Sequence, residues 1–207
     1  MNQADVTRYE LPPEGISLLG YVVRRMHKTA WLTSVPALLA DGKTAAALAR
    51  VAMYAVTAST SFGAAYYQPR FNAVGERISE PDPATGATVW AELTSSSPTY
   101  KIIYAAHLAD GSEFSGAEEI TGTTVGLRGL GMPAPSKFHF RANAYEATLT
   151  GILTSELALS FFRGTRIRAY GFLNFNDNAG STGKLNLDRA NNIAIQVNGK
   201  PMEVELT

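Results

Sequence analysis

Residues 99–111 have the sequence TYKIIYAAHLADG, and this stretch indicates the fold of most of the chain. Apolar and polar side chains alternate along it, as they do in a half-buried β-strand. One face takes Tyr100, Ile102, Tyr104, Ala106 and Leu108. Asp110-Gly111 follows directly, and an Asp-Gly pair after an alternating run is a strong signal for a β-hairpin. The stretch therefore predicts a strand, a tight turn and an antiparallel partner.

The same period of two continues to the C-terminus. Alternating runs recur around residues 89–94, 137–141, 145–153, 166–176, 185–187, 193–197 and 202–206. We count about seven to nine strands joined by turns of about two to six residues, with no helical crossover that a parallel sheet would need. The pattern predicts a mainly β fold, an antiparallel β-barrel of about eight strands, with a β-sandwich as the alternative.

The chain before residue 80 has a helical pattern instead. Residues 16–28 (ISLLGYVVRRMHK) and 43–58 (KTAAALARVAMYAVTA) each predict a helix, the second one rich in alanine, the best helix former. Residues 80–86 (EPDPATG) form a predicted turn or linker. We therefore expect an N-terminal helical arm over residues 1–80 and an antiparallel β-barrel domain over residues 81–207.

The alanine-rich helix is apolar on more than one face. Leu48, Val51, Ala52 and Ala55 share one side, and the opposite side is also mostly small and apolar. We expect a small barrel to leave part of this surface uncovered, which predicts a homo-oligomer or a protein partner bound through the arm.

Composition excludes several classes of protein. The 207 residues carry 18 basic and 18 acidic side chains and no cysteine, so no nucleic-acid partner, disulfide scaffold or thiol chemistry is expected. No uncharged run is long enough for a membrane span, and no secretory signal is found at the N-terminus, so a cytoplasmic protein is expected.

Motifs for catalysis are missing. His27, His107 and His139 are isolated from one another, which predicts no metal site, and no GxSxG, P-loop or dinucleotide fingerprint is found. We assign no catalytic residue and no cofactor. The glycine-rich residues 121–136 predict a long loop, either a plain connection or a lid.

Aromatic residues on the predicted strands are the best candidates for a site. An inward-facing tyrosine offers an apolar wall and a hydroxyl that orients a ligand, while the alternative is an ordinary packed core. The candidate ligand-binding residues are Tyr100, Tyr104, Phe138, Phe140, Tyr145 and Tyr170.

Two stretches carry a family resemblance. Residues 101–120 (KIIYAAHLADGSEFSGAEEI) and 147–171 (ATLTGILTSELALSFFRGTRIRAYG) resemble the small β-barrel appendage of bacterial cholesterol-oxidase-like flavoproteins and, more loosely, lipocalin-like barrels. The resemblance implies a barrel and an apolar ligand. It implies no catalytic residue, because no flavin-binding motif accompanies it.

Three functions follow, in order of preference. The first is a non-catalytic binding module that holds an apolar or amphipathic, lipid-like small molecule in its barrel. The second is a structural or assembly protein that docks through the helical arm. The third is a small barrel isomerase or cyclase acting on an apolar substrate, since such chemistry needs only shape and one acid or base.

Overall fold

A computed structural model shows one curved antiparallel sheet whose inner face is covered by two longer helices, with two short helices of the described residues packed on one of them. The structure describes residues 8–10, 17–66, 74–96, 99–125, 128–131, 134–160, 164–190 and 192–203. Within these ranges the strands are β1 (Arg8–Glu10), β2 (Arg77–Pro81), β3 (Thr88–Ser95), β4 (Thr99–His107), β5 (Glu113–Val125), β6 (Arg128–Gly131), β7 (Ala134–Ala142), β8 (Tyr145–Ser160), β9 (Gly164–Asp177), β10 (Thr182–Leu187), β11 (Ile193–Val197) and β12 (Lys200–Met202).

The sheet is a meander in which neighbours along the chain pair with each other. From one edge it runs β2, β3, β4, β5, then β7 beside β8, then β9, β10, β11 and β12. β6 continues the position of β7 between β5 and β8, and β1 pairs with β9 beyond the end of β10. Every pairing is antiparallel, as the alternating sequence predicted.

The helices are α1 (Leu18–Met26), α2 (Ala30–Thr33), α3 (Val35–Ala40) and α4 (Thr44–Tyr66). The Ser17 side chain caps α1 by accepting a hydrogen bond from the Gly20 amide at 3.1 Å. α1 packs between α4 and the strands β2 and β3, whereas α4 lies across the middle of the sheet against β5, β8 and β9. Residues 51–63 of α4 are all buried.

The predicted closed barrel is wrong in one respect. Within the described residues the sheet begins at β2 and ends at β12, which do not pair with each other, and helix α4 occupies the concave side where a barrel would hold its ligand. The coarser prediction, a mainly β antiparallel fold, is confirmed. A sheet that curves around a long apolar helix buries its inner face without needing closure.

Helices and strands share one hydrophobic core, which includes Leu48, Val51, Phe114 and Leu149. This shared core differs from the expectation that the alanine-rich helix would leave part of its apolar surface uncovered. The reason is that small side chains let strands approach α4 on several sides. The division of the chain at residue 80 stays a prediction. In the described part of the chain no helix is long and apolar enough to cross a membrane.

Two polar contacts fix the helices, one to the sheet and one to each other. The Thr29 hydroxyl, between α1 and α2, donates to the Asp82 carboxylate at 2.7 Å, in the turn that joins β2 and β3. The Tyr54 hydroxyl of α4 donates to the Met26 carbonyl at 3.0 Å. Together these bonds fix α1 against the β2–β3 turn and α4 against α1.

The turns behave as predicted, with one exception. The Asp110-Gly111 pair joins β4 to β5, with Gly111 at φ +85°, and Asn198-Gly199 joins β11 to β12 with both residues at positive φ. Residues 121–136 are not a long loop, because β5 continues to Val125, β6 pairs back on it, and β7 begins at Ala134. Residues 126, 127, 132 and 133 lie outside the described ranges.

Candidate ligand-binding site

A glutamate lies in the middle of the inner face of the sheet. The β5 side chains Phe114, Glu118 and Ile120 point to this face, and all three are buried. Glu118 is 6% exposed, although a carboxylate is among the groups that proteins bury least often. It stands opposite Ile102 of β4 and Ser136 of β7.

Three hydroxyl groups surround the Glu118 carboxyl. Tyr104 of β4 donates its phenolic hydrogen at 2.9 Å. Ser136 of β7 and Ser59 of α4 also hydrogen-bond to it. The carboxyl therefore ties the helix to two strands. No Lys, Arg or His nitrogen of the described residues lies within ion-pair distance of it.

Burial changes the acid–base behaviour of this group. Removal from water raises the pKa of Glu118 from 4.5 to about 7, and the hydrogen bonds from Ser59, Tyr104 and Ser136 oppose that rise. Burial, and then the neighbouring Glu118, raise the pKa of Tyr104 well above its ordinary value. Near neutral pH the cluster thus holds a carboxyl that is about half protonated.

The position of the Tyr104 ring depends on a glycine. Gly116 of β5 stands directly opposite Tyr104 in the register, and a Cβ at Gly116 would collide with the tyrosine ring. The ring therefore lies flat over Gly116, and its hydroxyl reaches Glu118, two residues further along β5. Any larger residue at position 116 would displace the donor from the carboxyl.

Helix α4 contributes a run of hydroxyl groups over residues 57–61. Thr57, Thr60 and Ser61 donate to the carbonyl oxygens of Met53, Val56 and Thr57, which satisfies them within the helix. Ser59 differs, because its hydroxyl bonds to Glu118 on the sheet. It is the hydroxyl of this run that links the helix to the strand.

The same part of α4 approaches the sheet closely. A Cβ at Gly63 would overlap the Ser155 side chain of β8, so only glycine fits there. Ser155 is itself buried, at 6% exposed. The seam between the C-terminal half of α4 and strands β5, β7 and β8 is therefore tight and polar. We call this set, Ser59, Gly63, Tyr104, Glu118, Ser136 and Ser155, the polar seam.

The structure distributes the predicted aromatic residues over three places. Tyr104 belongs to the polar seam, and Phe138 is on the inner face two residues from Ser136. Tyr100 is half-buried and pairs with Ile120, which is two residues from Glu118 on β5. Phe140 and Tyr145 form a ring pair at 6.3 Å nearer the opposite end of the sheet, where Tyr145 donates to Asp177.

Tyr170 lies apart from the other five. Its side chain is half-buried on the outer face of β9, where the Arg189 guanidinium stacks at 4.6 Å from the ring centroid. Of the six predicted residues, Tyr104 contacts the Glu118 carboxyl, and Tyr100 and Phe138 lie in the inner-face rows on either side of it. Tyr170 is outside that group.

Glu118, Ser59 and Ser136 were missed from the sequence. The signal was present at Glu118, because residues 113–120 (EFSGAEEI) place this acid on the same face as Phe114 and Ile120. A charge on the apolar face of an alternating strand marks a buried polar group. Nothing in the local pattern identifies Ser59 or Ser136.

The chain matches no protein-family model, and no curated protein is significantly similar in sequence. Two solved structures resemble it in fold. The Osh1 ORD domain in complex with ergosterol has a TM-score of 0.62 and 15% identity, covering 95% of this chain and 49% of that chain. The Osh3 ORD of Saccharomyces cerevisiae in complex with PI(4)P has a TM-score of 0.55 and 13% identity, covering 96% of this chain and 56% of that chain.

The likeness concerns the fold, and the chain spans about half the length of either structure. Neither structure is a lipocalin or a barrel appendage of a flavoprotein. The comparisons therefore support the coarser part of the resemblance, a curved antiparallel β-fold, and give no support to the finer one.

Proposed function

We propose that this chain is a non-catalytic binding module for an apolar or amphipathic, lipid-like small molecule. The ligand is held between the C-terminal half of α4 and the inner face of the sheet, with the polar seam as its polar anchor. The observation that carries the proposal is the buried Glu118 carboxyl, which has hydroxyl partners but no ion-pair partner among the described residues. The two structures of similar fold were solved with ergosterol and with PI(4)P, which is the broad ligand class proposed.

A core built for stability alone has no use for this carboxyl. Burying a carboxyl without a counter-charge costs free energy, and an apolar side chain of similar volume would serve the core better. Strongly shifted carboxyl groups concentrate at functional sites. Glu118 therefore supports a binding role at this place.

Ligand entry requires the helix and the sheet to separate locally. The polar seam is the part of the α4 interface where separation costs least, because the helix contributes only Ser59 and Gly63 to it, and these small residues bury little apolar area. An incoming apolar molecule would replace the contacts of Ser59 and Gly63 with the sheet. Tyr100, Tyr104 and Phe138 would supply its aromatic wall.

The polar seam favours a neutral polar group on the ligand. A hydroxyl can donate to the ionised form of Glu118 or accept from its protonated form. A carboxylate or phosphate would meet a buried acid, with no cation of the described residues within ion-pair distance of it, which is unfavourable in a medium of low dielectric constant. We therefore expect hydroxyl-bearing ligands to bind more tightly than anionic ones of the same length.

The test compares ligands that differ only in the polar group. Purified protein is incubated at pH 8 with phosphatidylcholine vesicles that contain oleyl alcohol, oleate or a sterol, the vesicles are removed, and protein-bound lipid is measured by mass spectrometry. We expect one alcohol or sterol per chain, little oleate, and weaker retention by Glu118→Gln.

Glu119→Gln is the matched control, because Glu119 is the next residue but points outward and pairs with Lys101 at 3.0 Å. It should bind like the natural protein. Absence of bound lipid in the natural protein, or equal loss in both variants, would contradict the proposal.

The two other functions gain no support from this geometry. The assembly hypothesis depends on apolar surface left uncovered on α4, whereas residues 51–63 are buried. No observation favours the isomerase or cyclase hypothesis over binding, because both would use the same Glu118, whose partners are hydroxyl groups.

A further inference from the structure

The outer face of the sheet carries a separate depression of about 430 Å³. Its floor is formed by Ser115 and Ala117 of β5. One wall is formed by Trp90 and Ile103 of β3 and β4, and the other by Lys137 and His139 of β7. We call these six residues the outer trough. They lie on the opposite side of the sheet from Glu118.

The strand register explains the shape. Ala117 lies between Ile103 and Lys137 in one row across the sheet, and Ser115 lies beside His139 in the next row. Small side chains in the middle of each row and long ones on either side leave a channel along β5. The floor and one wall of this channel are largely apolar.

Two contacts hold the Trp90 wall in place. The Arg77 guanidinium stacks over one face of the indole at 4.0 Å from the ring centroid, and Arg77 itself pairs with Glu92 at 2.8 Å. The indole Nε1 donates to His107 Nε2 at 3.1 Å. An aromatic wall whose orientation is fixed in advance loses little conformational entropy when a ligand binds.

The charge of the trough is unbalanced. Two cationic side chains near the trough have acidic partners: Lys101 contacts Glu119 at 3.0 Å, and Arg141 contacts Glu113 at 3.7 Å. In the part of the chain that the structure describes, Lys137 has no ion pair, and no acidic side chain lines the depression. His139 has only a distant contact, 4.0 Å to Glu146.

We propose that the outer trough is a binding site for a small aromatic carboxylate. The ring lies over Ala117 against Trp90 and Ile103, and the carboxylate meets the Lys137 ammonium group. The volume suits a ligand of one or two fused rings. The depression also touches Tyr104 and Gly116, but Ala117 and Lys137 of the trough alternate with Glu118 and Ser136 of the polar seam along β5 and β7, so variants at the first pair test the trough separately.

The test uses three probes of one shape and different charge: 2-naphthoate, 2-naphthol and 2-naphthylmethylammonium. Binding is followed by backbone amide shifts in two-dimensional NMR, which also locates the probe. We expect the largest shifts at residues 115–117 and 137–139. We expect 2-naphthoate to bind about three- to fivefold more tightly than the neutral naphthol, the size of one exposed ion pair, and the cation to bind more weakly than either.

Two variants separate charge from shape. Lys137→Gln should abolish the preference for naphthoate and leave naphthol binding unchanged, whereas Lys184→Gln, an exposed lysine on β10 away from the trough, should keep the preference. Ala117→Leu should fill the floor and remove the shifts caused by all three probes. Equal affinities for the three probes, shifts located elsewhere, or an unchanged preference in Lys137→Gln would overturn the proposal.

Discussion

The two halves of helix α4 rest on the same sheet in different ways. Near its middle, Tyr54 meets Phe114 edge-on at 4.7 Å, and Phe114 stacks on Phe138 at 5.8 Å. Two turns further along, Ser59 and Gly63 face Glu118 and Ser155. The contacts between α4 and the sheet thus change from aromatic packing to hydroxyl and carboxyl groups within nine residues of the helix, from Tyr54 to Gly63.

This difference divides the interface into a half that stabilises the fold and a half that holds the proposed binding site. The aromatic half removes a large apolar area from water and so stabilises the attachment of the helix. The polar half adds little apolar burial and contains a carboxyl that burial disfavours. Experiments that alter each half should therefore give different kinds of response, and we take them from the largest expected effect to the smallest.

The largest effect is expected at Phe114. Phe114→Ala should lower the free energy of unfolding by about 3–5 kcal/mol, since it removes a fully buried ring and leaves a cavity between α4 and β5. Urea titration followed by circular dichroism measures the change. Phe172→Ala is the control, because that ring is only half-buried on the outer face of β9, and it should cost about 1 kcal/mol. Equal losses would mean that the aromatic half does not dominate stability.

The second effect depends on pH and comes from Glu118. Below pH 4.5 the carboxyl is protonated in both folded and unfolded chains. Between pH 4.5 and about 7 the unfolded chain ionises while the folded one keeps its proton, so stability falls as pH rises. The natural protein should lose about 3 kcal/mol over this window relative to Glu118→Gln, which cannot titrate.

The measurement is a set of unfolding curves for both proteins from pH 4 to pH 8. Groups that titrate identically in the two chains cancel in the difference. Glu119→Gln should show no such trend, because Glu119 is partly exposed beside Lys101. A flat difference between the natural protein and Glu118→Gln would show that this carboxyl is not desolvated.

Much of the aromatic half could be anticipated from sequence. Alternation along β4 and the Asp110-Gly111 turn predicted the pairing of β4 with β5, because period and turn chemistry are local properties. The helical pattern of residues 43–58 predicted α4. What local pattern could not supply was the side of the sheet on which α4 rests, and so the barrel interior was assigned to a ligand instead of to the helix.

The polar half was harder to anticipate for a related reason. Glu118 meets Ser59 across 59 positions of chain, and only the tertiary fold decides which hydroxyl reaches it. Tyr104 was a candidate ligand-binding residue from its place on a predicted strand, but its role as a donor to Glu118 depends on the bare backbone of Gly116. Residue type indicated the region, and long-range contacts determined the site.

A third experiment tests how tightly the polar half is packed. Gly63→Ala gains about 1 kcal/mol of helix propensity, yet its new methyl group overlaps the Ser155 side chain, whose Cβ cannot rotate away. We expect the clash to exceed the gain and to give a net loss of about 1–2 kcal/mol in the free energy of unfolding.

The double variant Gly63→Ala, Ser155→Gly makes room for the methyl group and is the control for this explanation. It should recover part of the loss, and the two changes should therefore not be additive. Additive losses in urea titrations would show that helix and strand do not meet at these positions.

The smallest effect is expected from one hydroxyl of the polar seam. Ser136→Ala removes a hydrogen bond to Glu118, which should cost about 1 kcal/mol and raise the pKa of that carboxyl further. Because an ionised carboxylate is the stronger acceptor, the loss should be larger at pH 8 than at pH 5. Ser79→Ala, on the exposed edge strand β2, should cost little at either pH. Equal destabilisation by Ser136→Ala at pH 5 and pH 8 would mean that the Ser136 hydroxyl contributes by packing alone. Hydrogen bonds from Tyr104 and Ser59 would then be what stabilises the ionised Glu118.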